Sequence, residues 1–150
     1  MSLDYEGILN KSWEELPEGK LLPSGTWLLK GRSAKFQTPR GDGNPNFMFV
    51  YQAKAPMDDV DADELAALGD NYDIEGNVIF FRIYVETQQD MDKVRKHLAK
   101  HGIEVSGSVK ESLDAFKNTE VYAVIGSRSF TTNDGEAREE NTASAFAPVE

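Results

Sequence analysis

Lys30, Arg32, Lys35 and Arg40 are four bases in residues 21–40, a stretch with no acid, although the 150-residue chain carries a formal charge of −10. Residues 32–54 continue the pattern. Phe36, Phe47, Phe49 and Tyr51 lie between the bases there, and Asp42 is the single acid. Cations that follow phosphates and aromatic faces that stack on unpaired bases suit single-stranded nucleic acid. Each stacked base contributes about 1–3 kcal/mol, so two or three exposed aromatics suffice for useful affinity.

Other chemistry is sparse. His97 and His101 stand four apart on a helical stretch, a spacing that can hold zinc. Leu98 stands where the glutamate of the zinc-protease pattern is required, and Lys96 and Lys100 repel a cation. No metal role is expected, and both imidazoles are expected to face solvent. Asp59, Asp61 and Asp63 resemble the start of a calcium loop. The sixth position, however, is Glu64 rather than glycine, and the twelfth is Asp70 rather than glutamate. No phosphate-binding glycine loop, nucleophile elbow or local triad occurs. Neither an enzyme nor a cofactor is expected.

The total charge argues against non-specific adhesion to nucleic acid or anionic membrane, so any such contact must be local. The charges are segregated: residues 58–75 hold eight acids and no base, whereas Lys93, Arg95, Lys96 and Lys100 make a later segment mildly basic. Without cysteine there is neither a disulfide framework nor a thiolate metal site. No apolar run reaches the roughly 18 residues of a membrane span, and nothing reads as a signal peptide. A cytoplasmic protein with no membrane partner is expected, and a homo-oligomer is compatible with the sequence.

These residues need a scaffold. Residues 26–37 read as a long strand with Trp27 and Leu29 on one face. Gly31 marks a bulge that flips the parity and returns Ala34 and Phe36 to the core. Residues 47–54 alternate, with Phe47, Phe49 and Tyr51 on one face. A short helix around Leu65 and Leu68 is expected in the acidic stretch. Residues 77–86 give the clearest strand: Ile79, Phe81, Ile83 and Val85 form an apolar face, and Val78, Phe80, Arg82 and Tyr84 the mixed one.

Met91, Val94 and Leu98 then stand at helical spacing, with Gly102 as a stop. Ser108 with Glu111 caps a second helix with Val109, Leu113 and Phe116 on its buried stripe. Residues 120–130 return to strand. Asn133, Asp134 and Gly135 signal a hairpin, and residues 136–148 form a returning edge strand or a tail.

The expected fold is mainly β, of α+β type. It is a five-stranded Greek-key barrel of the oligonucleotide-binding kind, with helices between strands three and four and an acidic insertion. One domain spans residues 1–150, with residues 1–20 and 132–150 as candidate flexible ends. On this scaffold the candidate nucleic-acid contacts are Lys30, Arg32, Lys35, Arg40 and Arg82 for phosphates, and Phe80 and Tyr84 for bases. The alternative is that the aromatics simply fill a small barrel, as Phe47, Phe49 and Phe81 are expected to do.

The pattern resembles small bacteriophage single-stranded-DNA-binding proteins of replication and recombination clusters. The resemblance is carried by residues 22–53, 76–87, 98–116, 119–128 and 138–148. It implies an oligonucleotide-binding barrel that coats displaced strands in the host cytoplasm. It also implies acidic segments that recruit replication or recombination proteins. Glu136, Glu139, Glu140 and Glu150 with Phe146 echo such a segment, although the chain ends in Ala147, Pro148, Val149 and Glu150 rather than a dense acidic run. A phage structural or protein-interaction module without nucleic-acid binding is the competing reading.

Overall fold

The computed structural model describes residues 21–38, 44–69, 72–131 and 134–149. Five strands form one open antiparallel sheet: β1 (Gly25–Gln37), β2 (Asn46–Pro56), β3 (Val78–Tyr84), β4 (Glu120–Thr131) and β5 (Ala137–Pro148), in the order β3-β2-β1-β4-β5. Three helices interrupt them: α1 (Ala62–Ala66) before β3, and α2 (Gln88–Ala99) and α3 (Val109–Asp114) between β3 and β4. Among the described residues no helix is long and apolar enough to cross a membrane.

β1 is the organising strand, paired with β2 on one side and β4 on the other. Its register against β2 slips twice, between Leu28 and Leu29 and between Gly31 and Ser33. At Gly31 the backbone is clamped: its N–H donates to the Thr119 carbonyl at 2.8 Å, and its carbonyl accepts from the Asn118 N–H at 2.9 Å. A Cβ there would meet the Phe116 carbonyl oxygen at 2.6 Å, so the close approach requires glycine.

The core includes Trp27 and Leu29 from β1, Phe49 and Tyr51 from β2, Ile79 from β3, Val94 and Leu98 from α2, Phe116, Val121 and Ile125 from β4, and Phe146 from β5. The Trp27 indole donates to the Pro23 carbonyl at 3.0 Å, which satisfies its buried N–H. Phe81, Ile83 and Val85 are half-buried against this cluster. The β3 alternation therefore holds, with Val78, Phe80, Arg82 and Tyr84 on the outer face.

α2 starts at a capping box in which the Thr87 hydroxyl accepts from the Asp90 N–H and the Asp90 carboxylate accepts from the Thr87 N–H. It stops before Gly102, which has a φ of 76°. In α3 the Ser108 hydroxyl accepts from the Glu111 N–H at 3.1 Å.

Two apolar expectations are corrected. Phe36 is exposed, because it lies at the far end of β1, where among the described residues Phe47 is its one aromatic neighbour, tilted against it at 5.1 Å between ring centroids. Val109 is also exposed, because it is the first residue of a six-residue helix whose burial begins at Ser112 and Leu113.

The acidic stretch 58–75 is tied to the sheet at several points. Asp59 accepts from the Thr26 N–H at 2.9 Å and the Thr26 hydroxyl at 2.7 Å, and Val60 joins the core. Asp61 caps α1 by accepting from the Asp63 and Glu64 N–H groups. Leu65 lies within α1, while Leu68 follows it.

Candidate nucleic-acid interface

The register brings the predicted contacts onto one surface. Across β1, β2 and β3, Lys35 pairs with Met48 and Met48 with Arg82; one step along, Ser33 pairs with Val50 and Val50 with Phe80. Two strand spacings separate Lys35 from Arg82, about 10 Å. Tyr84 stands opposite Asn46 at one end of this face, and Lys30 opposite Gln52 toward the other. Arg32 lies in the register slip between Gly31 and Ser33. The bulge thus sets Arg32 and Ser33 in succession on the exposed side. Arg40 lies outside the described residues.

Phe80 and Tyr84 expose 49% and 54% of their surface, enough for one ring face each to meet a base. Met48 is buried although its side points outward; it stands between Lys35 and Arg82, whose aliphatic stems can cover it. Asn46 is buried as well. Its side-chain amide donates to the Asn44 carbonyl at 3.2 Å, and its Oδ1 has no partner among the described residues.

Among the described residues the cations of this face join no ion pair. Among the described residues the ion pairs join Lys54 to Glu75, Lys93 to Asp90, Lys96 to Asp92, Arg128 to Glu140 and Arg138 to Glu136. Lys30, Arg32, Lys35 and Arg82 take part in none of them. Lys30 does feel Glu75 at longer range: the Glu75 carboxyl is held below its ordinary value by Lys54 first, with a smaller contribution from Lys30.

Two features escaped the sequence reading. The first is a cluster under the sheet. His97 and His101 are not solvent-facing; both are buried, and both Nε2 atoms approach the Tyr51 hydroxyl, at 2.6 and 2.8 Å. The signal was present: Val94, His97, Leu98 and His101 are the i, i+3, i+4, i+7 stripe of an amphipathic helix. Burial first, then neighbouring charge, lowers His97 to about 3 and His101 to about 4. Burial raises the Tyr51 phenol.

The second is a cleft between β3, α2 and β5, of about 620 Å³. Lys93, Lys96 and Lys100 from α2 line it with Arg82 from β3. Their i, i+3, i+7 spacing could have placed these lysines on one helix face. An apolar groove of about 870 Å³ lies between the end of β1, the start of α2 and α3, lined by Lys35, Phe36, Met91, Val109 and Leu113 among others.

No protein-family model matches the chain, and no curated protein matches it.

Proposed function

We propose that the protein binds single-stranded DNA, without sequence preference, on the outer face of β1, β2 and β3. One observation carries the reading. In a chain of formal charge −10, Lys30, Arg32, Lys35 and Arg82 share one sheet face with the exposed rings of Phe80 and Tyr84, and none is in an ion pair with a described carboxylate. Cations without internal partners can exchange water and counterions for phosphates, and flat exposed rings can take unstacked bases.

The proposal includes a barrel of the oligonucleotide-binding type. Support comes from the strand order, from the helices between β3 and β4, and from the approach of the two edge strands. Phe81 of β3 and Phe146 of β5 lie 4.8 Å apart between ring centroids. In this reading the protein is a binding protein rather than an enzyme. It acts in phage DNA replication or recombination in the host cytoplasm, and its acidic segments meet partner proteins.

The test is a fluorescence-anisotropy titration of a labelled 30-mer at two salt concentrations. Binding that weakens with salt, at a log–log slope of about −0.7 for each phosphate contact, is the expected result. No binding at low salt and high micromolar protein rejects the proposal. The interaction-module reading then takes its place, favoured by the apolar groove beside Phe36 and Val109, two apolar side chains that are each 49% exposed.

A further inference from the structure

We infer that the cleft between β3, α2 and β5 holds a segment of the same DNA strand, with phosphates on Lys96 and Lys100 and a base against Tyr84. The inference rests on the proposed binding to single-stranded DNA and adds a second leg to its path. Four cations line the cleft, Arg82, Lys93, Lys96 and Lys100, and among the described residues no carboxylate does. In so acidic a chain that is a local reversal of sign. A groove of one sign concentrates ligands of the other.

The floor is aromatic and closed. Phe81, His97 and Phe146 pack on one another with ring centroids 4.6–4.8 Å apart. Tyr84, 54% exposed, stands in the lining above them. The ligand must therefore carry anions and present a flat apolar face, which is the chemistry of a nucleotide. A lone phosphate would leave most of the volume empty, and an acidic peptide offers the Tyr84 ring a flat surface only where it carries an aromatic residue, whereas every nucleotide carries both groups. Lys93 and Lys96 already touch Asp90 and Asp92, at 3.3 and 3.1 Å, but both ammonium-bearing side chains are more than two-thirds exposed. Such solvated pairs are weak enough for a phosphate to displace. Lys100 has no ion-pair partner among the described residues.

Continuity with the sheet face comes from three shared residues. Phe81, Arg82 and Tyr84 line this cleft, and they also line a smaller recess of about 240 Å³ with Phe80, Arg128 and Glu140, the last two joined in an ion pair. A strand lying on the outer face beside Arg32 and Lys35 reaches Phe80 and Arg82. It can then turn over β3 toward α2, passing from Arg82 to Lys93, Lys96 and Lys100.

Oligonucleotide length separates the two legs. The double variants Lys96→Gln/Lys100→Gln and Arg32→Gln/Lys35→Gln are titrated with a thymidine oligomer of about 5 nucleotides and with a 30-mer, given site sizes of about 4–16 nucleotides for such folds. The first variant is expected to bind the short oligomer as wild type does. It should bind the 30-mer several-fold more weakly, with a salt slope flattened by about 1.4, the sum for two contacts. The second variant should weaken both.

If Lys96→Gln/Lys100→Gln matches wild type at both lengths, or weakens both equally, the cleft inference is overturned and the sheet-face reading stands. If wild type binds neither oligomer, both fall. Photo-crosslinking of wild type to a 5-iodouracil 30-mer gives a readout independent of variant folding. An adduct on Tyr84 together with one on Lys96 or Lys100 supports the path, and adducts confined to β1 and β2 overturn it.

Discussion

The Tyr51 hydroxyl lies 2.8 Å from Nε2 of His101, and this contact fixes the direction of every proton around it. His101 Nδ1 is 2.7 Å from the His97 carbonyl, which can only accept, so Nδ1 carries the proton and Nε2 is left as an acceptor. The Tyr51 O–H therefore donates to His101, and His97 Nε2–H donates to the Tyr51 oxygen at 2.6 Å. One neutral tautomer of each histidine satisfies the chain. Tyr51→Phe leaves a buried donor and a buried acceptor without partners. It should lower stability by about 1–3 kcal/mol in urea unfolding while leaving the fold intact. An unchanged urea midpoint would refute this proton assignment.

Stability should also depend on pH through the same pair. In the folded protein His97 is lowered to about 3 and His101 to about 4, by burial first and with a smaller push from Lys100. The unfolded chain takes up protons near the ordinary histidine value of about 6.5, so it binds more protons than the native state below that pH. The stabilisation is complete above about 6.5 and is lost as pH falls toward 4 and then 3, by up to about 1.4 kcal/mol per pH unit for each histidine. The expected urea midpoint drops between pH 7 and pH 5, and a flat midpoint across that window contradicts the burial.

Gly31→Ala tests the clamp between β1 and the segment after α3. The added methyl would fall 2.6 Å from the Phe116 carbonyl oxygen and 2.9 Å from its ring. A backbone atom cannot swing aside as a side chain does, so the cost should be about 1–3 kcal/mol, read as a lower melting temperature. A variant as stable as wild type would mean that β1 and this segment move apart freely.

On the proposed binding face, charge and stacking should separate cleanly. Arg32→Ala with Arg82→Ala should weaken binding evenly across sequences and flatten the salt slope by roughly 1.4. Tyr84→Ala should cost about 1–3 kcal/mol of binding and leave the slope nearly unchanged, because stacking releases few counterions. If Tyr84→Ala changes the slope as much as the arginine pair does, its ring is not a stacking platform.

The β3 pattern was legible because the period of two is unbroken from Val78 to Val85, and one face of the strand packs on the core. β1 was legible up to Gly31, where the bulge occurs. Beyond it, parity alone could not tell that the core ends before Phe36. Burial there depends on what the rest of the chain supplies, and the described residues leave Phe36 at the rim of an open groove, with Phe47 against its ring. The histidines were misjudged for a different reason. Residue type outweighed spacing, yet two imidazoles can be buried when a phenol and a carbonyl satisfy their nitrogens. The lysines of α2 were visible as a basic segment, but their partnership with Arg82 depends on how α2 lies against β3, which no local pattern encodes.

Among the described residues the sheet order leaves β3 and β5 each hydrogen-bonded to one neighbouring strand. Unpaired edges are templates on which another copy can add a strand, and charge along them is the usual safeguard. Arg82 supplies it on β3, and Arg138, Glu139 and Glu140 supply it on β5. Arg82 is therefore also a gatekeeper against aggregation. A variant that removes it is expected to self-associate more readily than wild type at high protein concentration.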